Sequence, residues 1–214
     1  MGAFRTAFEM LFDAVKSVQE ENKMFQHLSR DIKWRREQAF NNCYIISVAF
    51  PNLEEMYIDY CSDLIELPTE ICDLSKLKKL IVTNCRKIPL PEGIGKSKNL
   101  EMLRLRSYTE LSKLPTTMKS LGKVNFLDIS ICFSIKMLPK DIGEMSSLKK
   151  INMRQCSRLQ ELPPSVMDLK QLKEVVCDEE TKYLWESFSL CLNNVRIIVA
   201  KENINLNWIH KTQF

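Results

Sequence analysis

Hydrophobic residues recur through the middle of the chain with a period of 23 or 24 residues. In each period an apolar residue opens a nine-residue phrase in which positions 1, 4 and 6 are apolar and the last position is usually cysteine. The phrases begin at Leu53, Leu77, Leu100, Val124, Leu148 and Leu172. Apolar positions 4 and 6 with polar neighbours fit a half-buried strand, because successive side chains of a strand point to opposite faces. Each phrase therefore predicts one short strand.

A second apolar set follows each of the first five phrases at a fixed distance. It consists of the pairs Leu67-Pro68, Leu90-Pro91, Leu114-Pro115, Leu138-Pro139 and Leu162-Pro163. Proline lacks an N–H and fixes φ, so it suits a turn where the chain leaves the sheet. A repeat of this length and pattern is typical of leucine-rich repeats, whose neighbouring units stack to bury a shared core. We therefore expect a right-handed α/β solenoid with a parallel concave sheet and short helical or 3₁₀ limbs on its convex side.

The concave sheet of such a solenoid is the candidate binding surface, and phrase positions 2, 3, 5, 7 and 8 are predicted to face solvent there. Arginine supplies much of the energy of protein interfaces, which makes Arg104, Arg106 and Arg154 the predicted centre of a docking stripe. Phe126 and Met102 are its predicted apolar anchors. An ordinary solvated face is the alternative. The complete candidate set is Tyr57, Lys79, Met102, Arg104, Arg106, Phe126, Asp128, Lys150, Asn152 and Arg154.

The cysteines that close four of the phrases are predicted to be structural. A small side chain at this position can turn inward and satisfy backbone groups of the loop, so a buried column of reduced thiols is expected. The sequence has no C-x-x-C pair and only two histidines, and we expect no metal site. The column consists of Cys61, Cys85, Cys132 and Cys156.

Signatures of catalysis are missing from the sequence. The segment 93–97 ends like a phosphate-binding loop, but Leu90 stands where that motif requires its first glycine. The same segment is in register with 140–143 on a predicted convex limb, so we expect a turn there. Neither enzymatic activity nor a cofactor is predicted.

Charge and hydropathy narrow the class of partner and the compartment. The net charge of +4 is too mild to indicate a nucleic-acid-binding protein. No apolar run approaches the roughly 18–20 residues of a membrane span, and residues 1–20 do not resemble a secretory signal. The expected location is cytoplasmic, with peripheral contact at the plasma membrane as an alternative.

The two ends of the chain carry patterns of their own. Residues 3–33 follow a four-three apolar spacing that predicts an amphipathic helix, whose stripe needs cover from the first repeat, another chain or a membrane. Gly2 formally fits a myristoylation signal, although one acyl chain anchors a protein only weakly. Residues 43–50 are a predicted strand. After the last phrase, 178–185 predicts a short helix with an acidic cap, and 195–199 predicts a final strand.

These patterns divide the chain into three predicted parts. Residues 1–42 form an amphipathic helix with a linker, residues 43–177 form the repeats, and residues 178–214 form a C-terminal cap. Terminal repeats need a cap with a polar outer face, which gives the last part its predicted role.

Several segments resemble a known family. They are FPNL at 50–53, ELP at 66–68, LDIS at 127–130, CDEE at 177–180 and NLNW at 205–208. Together they resemble the C-terminal repeat domain of plant helper disease-resistance proteins, which are intracellular nucleotide-binding leucine-rich-repeat receptors with a powdery-mildew-resistance-type coiled coil. The resemblance covers about residues 44–214. Residues 7–25 also resemble the first helix of that coiled-coil domain.

The resemblance implies recognition and regulation. In the family the repeat domain holds the receptor inactive and contacts lipase-like signalling proteins, so the implied partners are immune receptors or lipase-like proteins. The family's nucleotide-binding switch has no counterpart in this sequence, and about 40 residues before the repeats are too few for its four-helix bundle. ATP-driven assembly is therefore not implied.

The leading hypothesis is a non-enzymatic, protein-binding repeat module of plant intracellular immunity. It would be a truncated disease-resistance-like protein that acts as an adaptor, decoy or regulator. One alternative is a membrane-directed defence protein that acts through residues 1–33, and another is a generic repeat scaffold with no immune role.

Overall fold

The strands of the protein form one parallel sheet in which the order in space is the order in the chain. The computed structural model describes residues 31–34, 51–59, 67, 69–85, 89–192 and 194–200. Within them the sheet has eight strands, which are β1 (Asp31–Trp34), β2 (Glu55–Asp59), β3 (Lys79–Thr83), β4 (Met102–Arg106), β5 (Phe126–Asp128), β6 (Lys150–Asn152), β7 (Glu174–Cys177) and β8 (Arg196–Val199). The predicted leucine-rich repeat architecture is confirmed.

Neighbouring strands pair in step with the sequence repeat. Lys79 of β3 pairs with Glu55 of β2 and with Met102 of β4. The repeat that is one residue short lies between β3 and β4, yet the pairing of these strands keeps the same phrase positions side by side. Equal positions of successive phrases therefore form straight columns across the sheet.

The core lies between the sheet and the convex limbs. Phrase positions 1, 4 and 6 are buried in every described repeat, as the alternation predicts. The convex side of the core is filled by one fully buried residue from each limb, namely Ile71, Ile94, Met118, Ile142 and Val166. One hydrophobic cluster thus runs the length of the described repeats.

Each convex limb is a short 3₁₀ helix that begins after the Leu-Pro pair. Pro91, Pro115 and Pro163 hold φ at −63°, −58° and −67° just before their helices. The carbonyl of Pro91 accepts the N–H of buried Ile94 at 3.0 Å, so the proline sets the turn while its carbonyl still joins it. The helices are Thr69–Asp73, Glu92–Lys96, Thr116–Ser120, Ile142–Glu144 and Pro164–Asp168. The predicted turn at 93–97 is confirmed.

The helix predicted for residues 3–33 is wrong at its C-terminal end, where the chain forms β1. Asp31 of β1 pairs with Glu55, 24 residues later, so Ile32 and Trp34 occupy phrase positions 4 and 6. The phrase escapes notice because Ser29 stands where its first leucine would be. The repeat register therefore begins before the predicted boundary at residue 43, while the remainder of that helix and the strand predicted at 43–50 lie outside the described residues.

The C-terminal cap contains a helix and a last strand. Helix α1 spans Glu179–Glu186, and β8 extends the sheet beside β7. Both predicted elements are confirmed. The acidic cap differs in detail, because the carboxylate of Asp178 accepts the N–H of Gln155 and makes no bond to its own helix. Buried Trp185 of α1 donates its indole N–H to the sulfur of Met153 at 3.0 Å, which closes this end of the core.

Candidate functional site

A cationic and aromatic cluster lies at the centre of the concave face. Phe126 of β5 pairs with Met102 of β4 on one side and with Lys150 of β6 on the other. The guanidinium carbon of Arg104 lies 5.6 Å from the centre of the Phe126 ring, and the amine of Lys150 lies 5.7 Å from it. Cations at this distance are attracted by the ring. The columns thus bring Met102, Arg104, Phe126 and Lys150 together, and we call these four residues the Phe126 cluster.

Asp128 does not face solvent as its phrase position predicts, since only 4% of it is exposed. Its carboxylate accepts hydrogen bonds from the Arg104 Nε at 3.0 Å and from the N–H and hydroxyl of Ser130 at 3.1 and 2.7 Å. Asp and Ser side chains that bond nearby backbone compete with a strand ladder, which explains why β5 ends at Asp128 and why Ser130 also turns inward. Asp128 is therefore a positioning residue for Arg104 and is too buried to contact a partner.

Ion pairs cross the concave face between equal positions of neighbouring repeats. Lys79 lies 2.6 Å from Glu55, whose carboxylate also accepts the hydroxyl of Tyr57 at 2.6 Å. Lys150 and Arg196 both contact Glu174, the latter at 2.5 Å. Hydrogen bonds from Lys150 and then Arg196 lower the pKa of Glu174, since they favour its charged form. Lysines of the candidate surface thus have carboxylate partners within the fold.

The remaining candidates lie in the columns beside the cluster. Arg106 ends β4 and is exposed, and no ion pair of its side chain is found among the described residues. Arg154 is half-buried, and its Nε is buried without a hydrogen-bond partner in the described part of the chain. The N–H of Arg154 donates to the Asn152 side chain at 3.4 Å, so Asn152 is partly engaged by the turn. Of the predicted arginines, Arg106 offers the most accessible charge.

The predicted cysteine column is buried and reduced where it is described. Cys132 donates its thiol to the carbonyl of Leu105 at 2.8 Å, and Cys156 donates to that of Ile129 at 3.1 Å. Burial raises the pKa of the Cys132 thiol to about 12 and also raises the pKa of Cys156. Cys85 has the same position and is likewise a free, buried thiol. These residues form part of the scaffold, and Cys61 lies outside the described residues.

The fourth position of this column is occupied by tyrosine. Tyr108 is fully buried, and its hydroxyl has no hydrogen-bond partner among the described residues. Burial raises the pKa of this hydroxyl. Tyr108 is thus a second large side chain, beside Trp185, that fills the interior of the solenoid.

Gly2 and most of residues 1–33 lie outside the described residues. Among the residues that the structure describes, no helix is long and apolar enough to cross a membrane. The same residues contain no group of three or more histidine, cysteine or acidic side chains placed to hold a metal ion.

Glu55, Glu174 and Arg196 belong to the concave surface but are not among the residues predicted from sequence. Each carries a charge opposite to that of a residue about one repeat away. In a parallel sheet with in-step register, that spacing places the two side chains next to each other. Opposite charges separated by the repeat length are thus the signal that would have identified them.

Comparison with known proteins agrees with the fold and narrows the identity. No protein-family profile matches the sequence. The chain is 41% identical over 165 residues to the disease resistance protein ADR1 of Arabidopsis thaliana, which covers 77% of this chain and 21% of ADR1. It is 40% identical over 74 residues to the disease resistance protein RPP5 of the same plant, which covers 33% of this chain and 5% of RPP5. The homologues of this chain are plant disease resistance proteins. The predicted resemblance to that class is confirmed, and the chain spans about a fifth or less of these relatives.

Solved structures similar to this disease-resistance homologue contain leucine-rich repeats. The leucine-rich repeat domain of the type III effector XopL superposes with a TM-score of 0.58 and 27% identity, covering 69% of this chain and 53% of that domain. The Arabidopsis receptor kinase HAESA superposes with a TM-score of 0.51 and 17% identity, covering 79% of this chain and 33% of the kinase chain. These matches establish the repeat fold, and the sequence relatives connect it with plant defence.

Proposed function

We propose that the chain is a non-enzymatic module that binds a protein partner in plant immunity through its concave face. The observation that carries this proposal is the Phe126 cluster, an aromatic ring held between two cations at the centre of a parallel sheet. Aromatic and arginine side chains near the centre of a surface are the residues that most often dominate binding energy. The relationship to disease resistance proteins supports the immune setting.

The cluster defines the chemistry of the partner surface. The Phe126 ring and the Met102 side chain are half-buried and would pack against an apolar group of the partner. Arg106 lies beside them at the end of β4 and would meet an acidic group, because its charge has no ion-pair partner among the described residues. A partner with an apolar knob and an acidic rim therefore fits best.

The proposed partners are immune receptors or lipase-like signalling proteins in the cytoplasm. In that setting the module acts as an adaptor, decoy or regulator. Its relatives are much longer than this chain, and their whole activity includes parts that this sequence does not span.

Arg106→Glu tests the binding surface. The substitution is at an exposed position, so it should leave the thermal unfolding midpoint unchanged while it weakens partner capture at least tenfold. Phe126→Ala should weaken capture by a similar or larger factor, because it removes the central ring. Binding of a partner purified by pull-down from plant tissue, measured by calorimetry, gives both values.

Lys140→Glu is the matched control, since Lys140 is exposed just before a convex limb. It makes the same change in charge and should leave affinity unchanged. Equal affinity for the wild type and both concave-face variants would contradict the surface assignment. A pull-down that recovers no immune receptor and no lipase-like protein would contradict the proposed partners.

A further inference from the structure

Lysines are concentrated along the edge of the sheet where the strands begin. Three columns form this edge, phrase position 2 and the two positions just before the phrase. In the six repeats that open at Leu53 to Leu172, these columns hold seven lysines and two glutamates, a net charge of +5, whereas the whole chain has +4. We call this surface the lysine edge, and its lysines are Lys76, Lys78, Lys98, Lys123, Lys149, Lys170 and Lys173.

The lysines of this edge keep their charge available. Only Lys78 has an ion pair, with Glu54 at 3.2 Å, and the other six are exposed with no carboxylate in ion-pair range among the described residues. Lys98 donates to the carbonyl of Ser120 at 3.2 Å, and Lys123 donates to the Asn99 side chain at 2.7 Å. These neutral acceptors hold two of the amines along the edge without cancelling their charge.

The adjoining convex side has the opposite character. There Lys119 lies 3.3 Å from Asp141 and 3.5 Å from Glu144, and Lys96 lies 4.0 Å from Asp73. Lysines on that side are paired with acids, so the unpaired positive charge is a property of the edge. A field of one sign along one surface attracts a polyanion.

A polar groove lies in the middle of the lysine edge. Its volume is about 510 Å³, and it lies across the starts of β4, β5 and β6. Two amines, two hydroxyls and two amides line it together with a single carboxylate. The lining residues are Glu101, Lys123, Asn125, Ser146, Ser147, Lys149 and Gln171. Such a set of donors suits a phosphate group.

The composition of the edge distinguishes between classes of anionic partner. Its three columns contain no arginine and no aromatic residue. Protein interfaces are enriched in arginine and aromatic residues and depleted in lysine, and binding of single-stranded nucleic acid uses aromatic stacking. A membrane surface requires neither, because each basic residue near anionic lipid adds to affinity as a point charge. Since strands lie about 4.8 Å apart, six repeats spread this charge over roughly 25 Å along one line.

We propose that the lysine edge docks on an anionic phospholipid membrane and that the groove between Lys123 and Lys149 receives a lipid phosphate. This surface is separate from the concave face, which remains open to a protein partner while the edge rests on lipid. It also differs from membrane contact through residues 1–33.

The test measures binding of the full chain to vesicles of phosphatidylcholine alone, of phosphatidylcholine with phosphatidylserine, and of phosphatidylcholine with phosphatidic acid at equal surface charge. We expect binding to both anionic vesicles, tighter binding to phosphatidic acid because of its terminal phosphate, and weakening as salt is raised. One basic residue contributes about fivefold in affinity, so replacing Lys123, Lys149 and Lys173 with glutamine should weaken binding about a hundredfold.

The matched control removes three charges elsewhere, by replacing Lys113, Lys136 and Lys140 with glutamine. These lysines are exposed and without ion pairs among the described residues, so both triple variants should unfold at the wild-type temperature. The control should bind lipid within a few-fold of wild type. Equal loss in both variants, unchanged binding in both, no binding to anionic vesicles, or tighter binding to duplex DNA than to vesicles would overturn the proposal. Equal affinity for phosphatidic acid and phosphatidylserine would overturn the assignment of a phosphate to the groove.

Discussion

One residue in each of four repeats adopts a left-handed backbone conformation just after its strand. Asn84, Ser107, Ile131 and Gln155 have φ of 54°, 57°, 62° and 57°, and all stand at phrase position 8. Their N–H groups point to the next repeat, where that of Asn84 donates to the Arg106 carbonyl at 3.1 Å and that of Ile131 donates to the Arg154 carbonyl at 2.7 Å. The hydrogen bond between repeats therefore imposes this conformation on whichever residue occupies the position.

Ile131→Asn should stabilise the protein by about 1 kcal/mol. A left-handed conformation costs a β-branched residue roughly 1–2 kcal/mol, and asparagine tolerates it better. Urea unfolding measures the change, and the reverse substitution Asn84→Ile should lower the free energy of unfolding by a similar amount. A loss of stability in Ile131→Asn would show that the packing of the isoleucine outweighs its backbone strain.

At this scale the sequence predicts more about the core than about the surface. Positions 1, 4 and 6 follow from alternation alone, and every described one is buried. The left-handed turn is not predictable from Ile131, whose residue type disfavours it. The burial of Asp128 depends on Ser130 and on Arg104 of the preceding repeat, and strand alternation contains no information about either contact.

The convex limbs pack most closely where they contain glycine. A Cβ atom on Gly143 would lie 2.1 Å from the carbonyl oxygen of Ser165 in the next limb, and one on Gly95 would lie 2.5 Å from that of Thr117. Both obstacles are backbone atoms and cannot rotate away. These glycines therefore set the distance between adjacent limbs.

Gly143→Ala should lower the free energy of unfolding by about 2–3 kcal/mol, because the added methyl group forces the limbs apart. Gly122→Ala is the control, since its Cβ would meet only the Ser146 hydroxyl at 3.8 Å and its φ is not left-handed. The control should be neutral or slightly stabilising, as it restricts the unfolded chain. Thermal unfolding compares the two variants, and equal midpoints would contradict this account of limb packing.

Elements were predictable wherever their period was undisturbed. The strands β2 to β7 begin within two residues of the start of each phrase, and the proline pairs locate the limbs. Strand β1 was missed because Ser29 breaks the leucine pattern and a four-three spacing overlaps it. Two periodicities that share Ile32 cannot both be satisfied, and pairing with β2 decides between them.

Across the whole molecule, buried thiols connect stability with pH. Burial raises the pKa of Cys72 and Cys177 to about 11 and that of Cys132 to about 12, against an ordinary thiol value of 9.0. Between those values the folded protein retains protons that the unfolded chain loses. The free energy of unfolding therefore falls as pH rises above about 9.

Stability measured by urea unfolding should be constant near neutral pH and fall between about pH 8 and pH 10. Each such thiol contributes a slope of up to about 1.4 kcal/mol per pH unit. Cys132→Ala should be less stable at neutral pH but should show a shallower alkaline decline. Cys191→Ala removes an exposed thiol and should leave the profile unchanged. An identical decline in Cys132→Ala and wild type would exclude this thiol as a cause.

The in-step register of the sheet also has a consequence for how such proteins diversify. Because equal phrase positions align in straight columns, recombination that gains or loses one 24-residue unit would leave the core columns continuous. The same event would move every later surface residue by one strand, about 4.8 Å along the face. A single exchange between repeats could thus create a new recognition surface on an unchanged interior, without any point substitution.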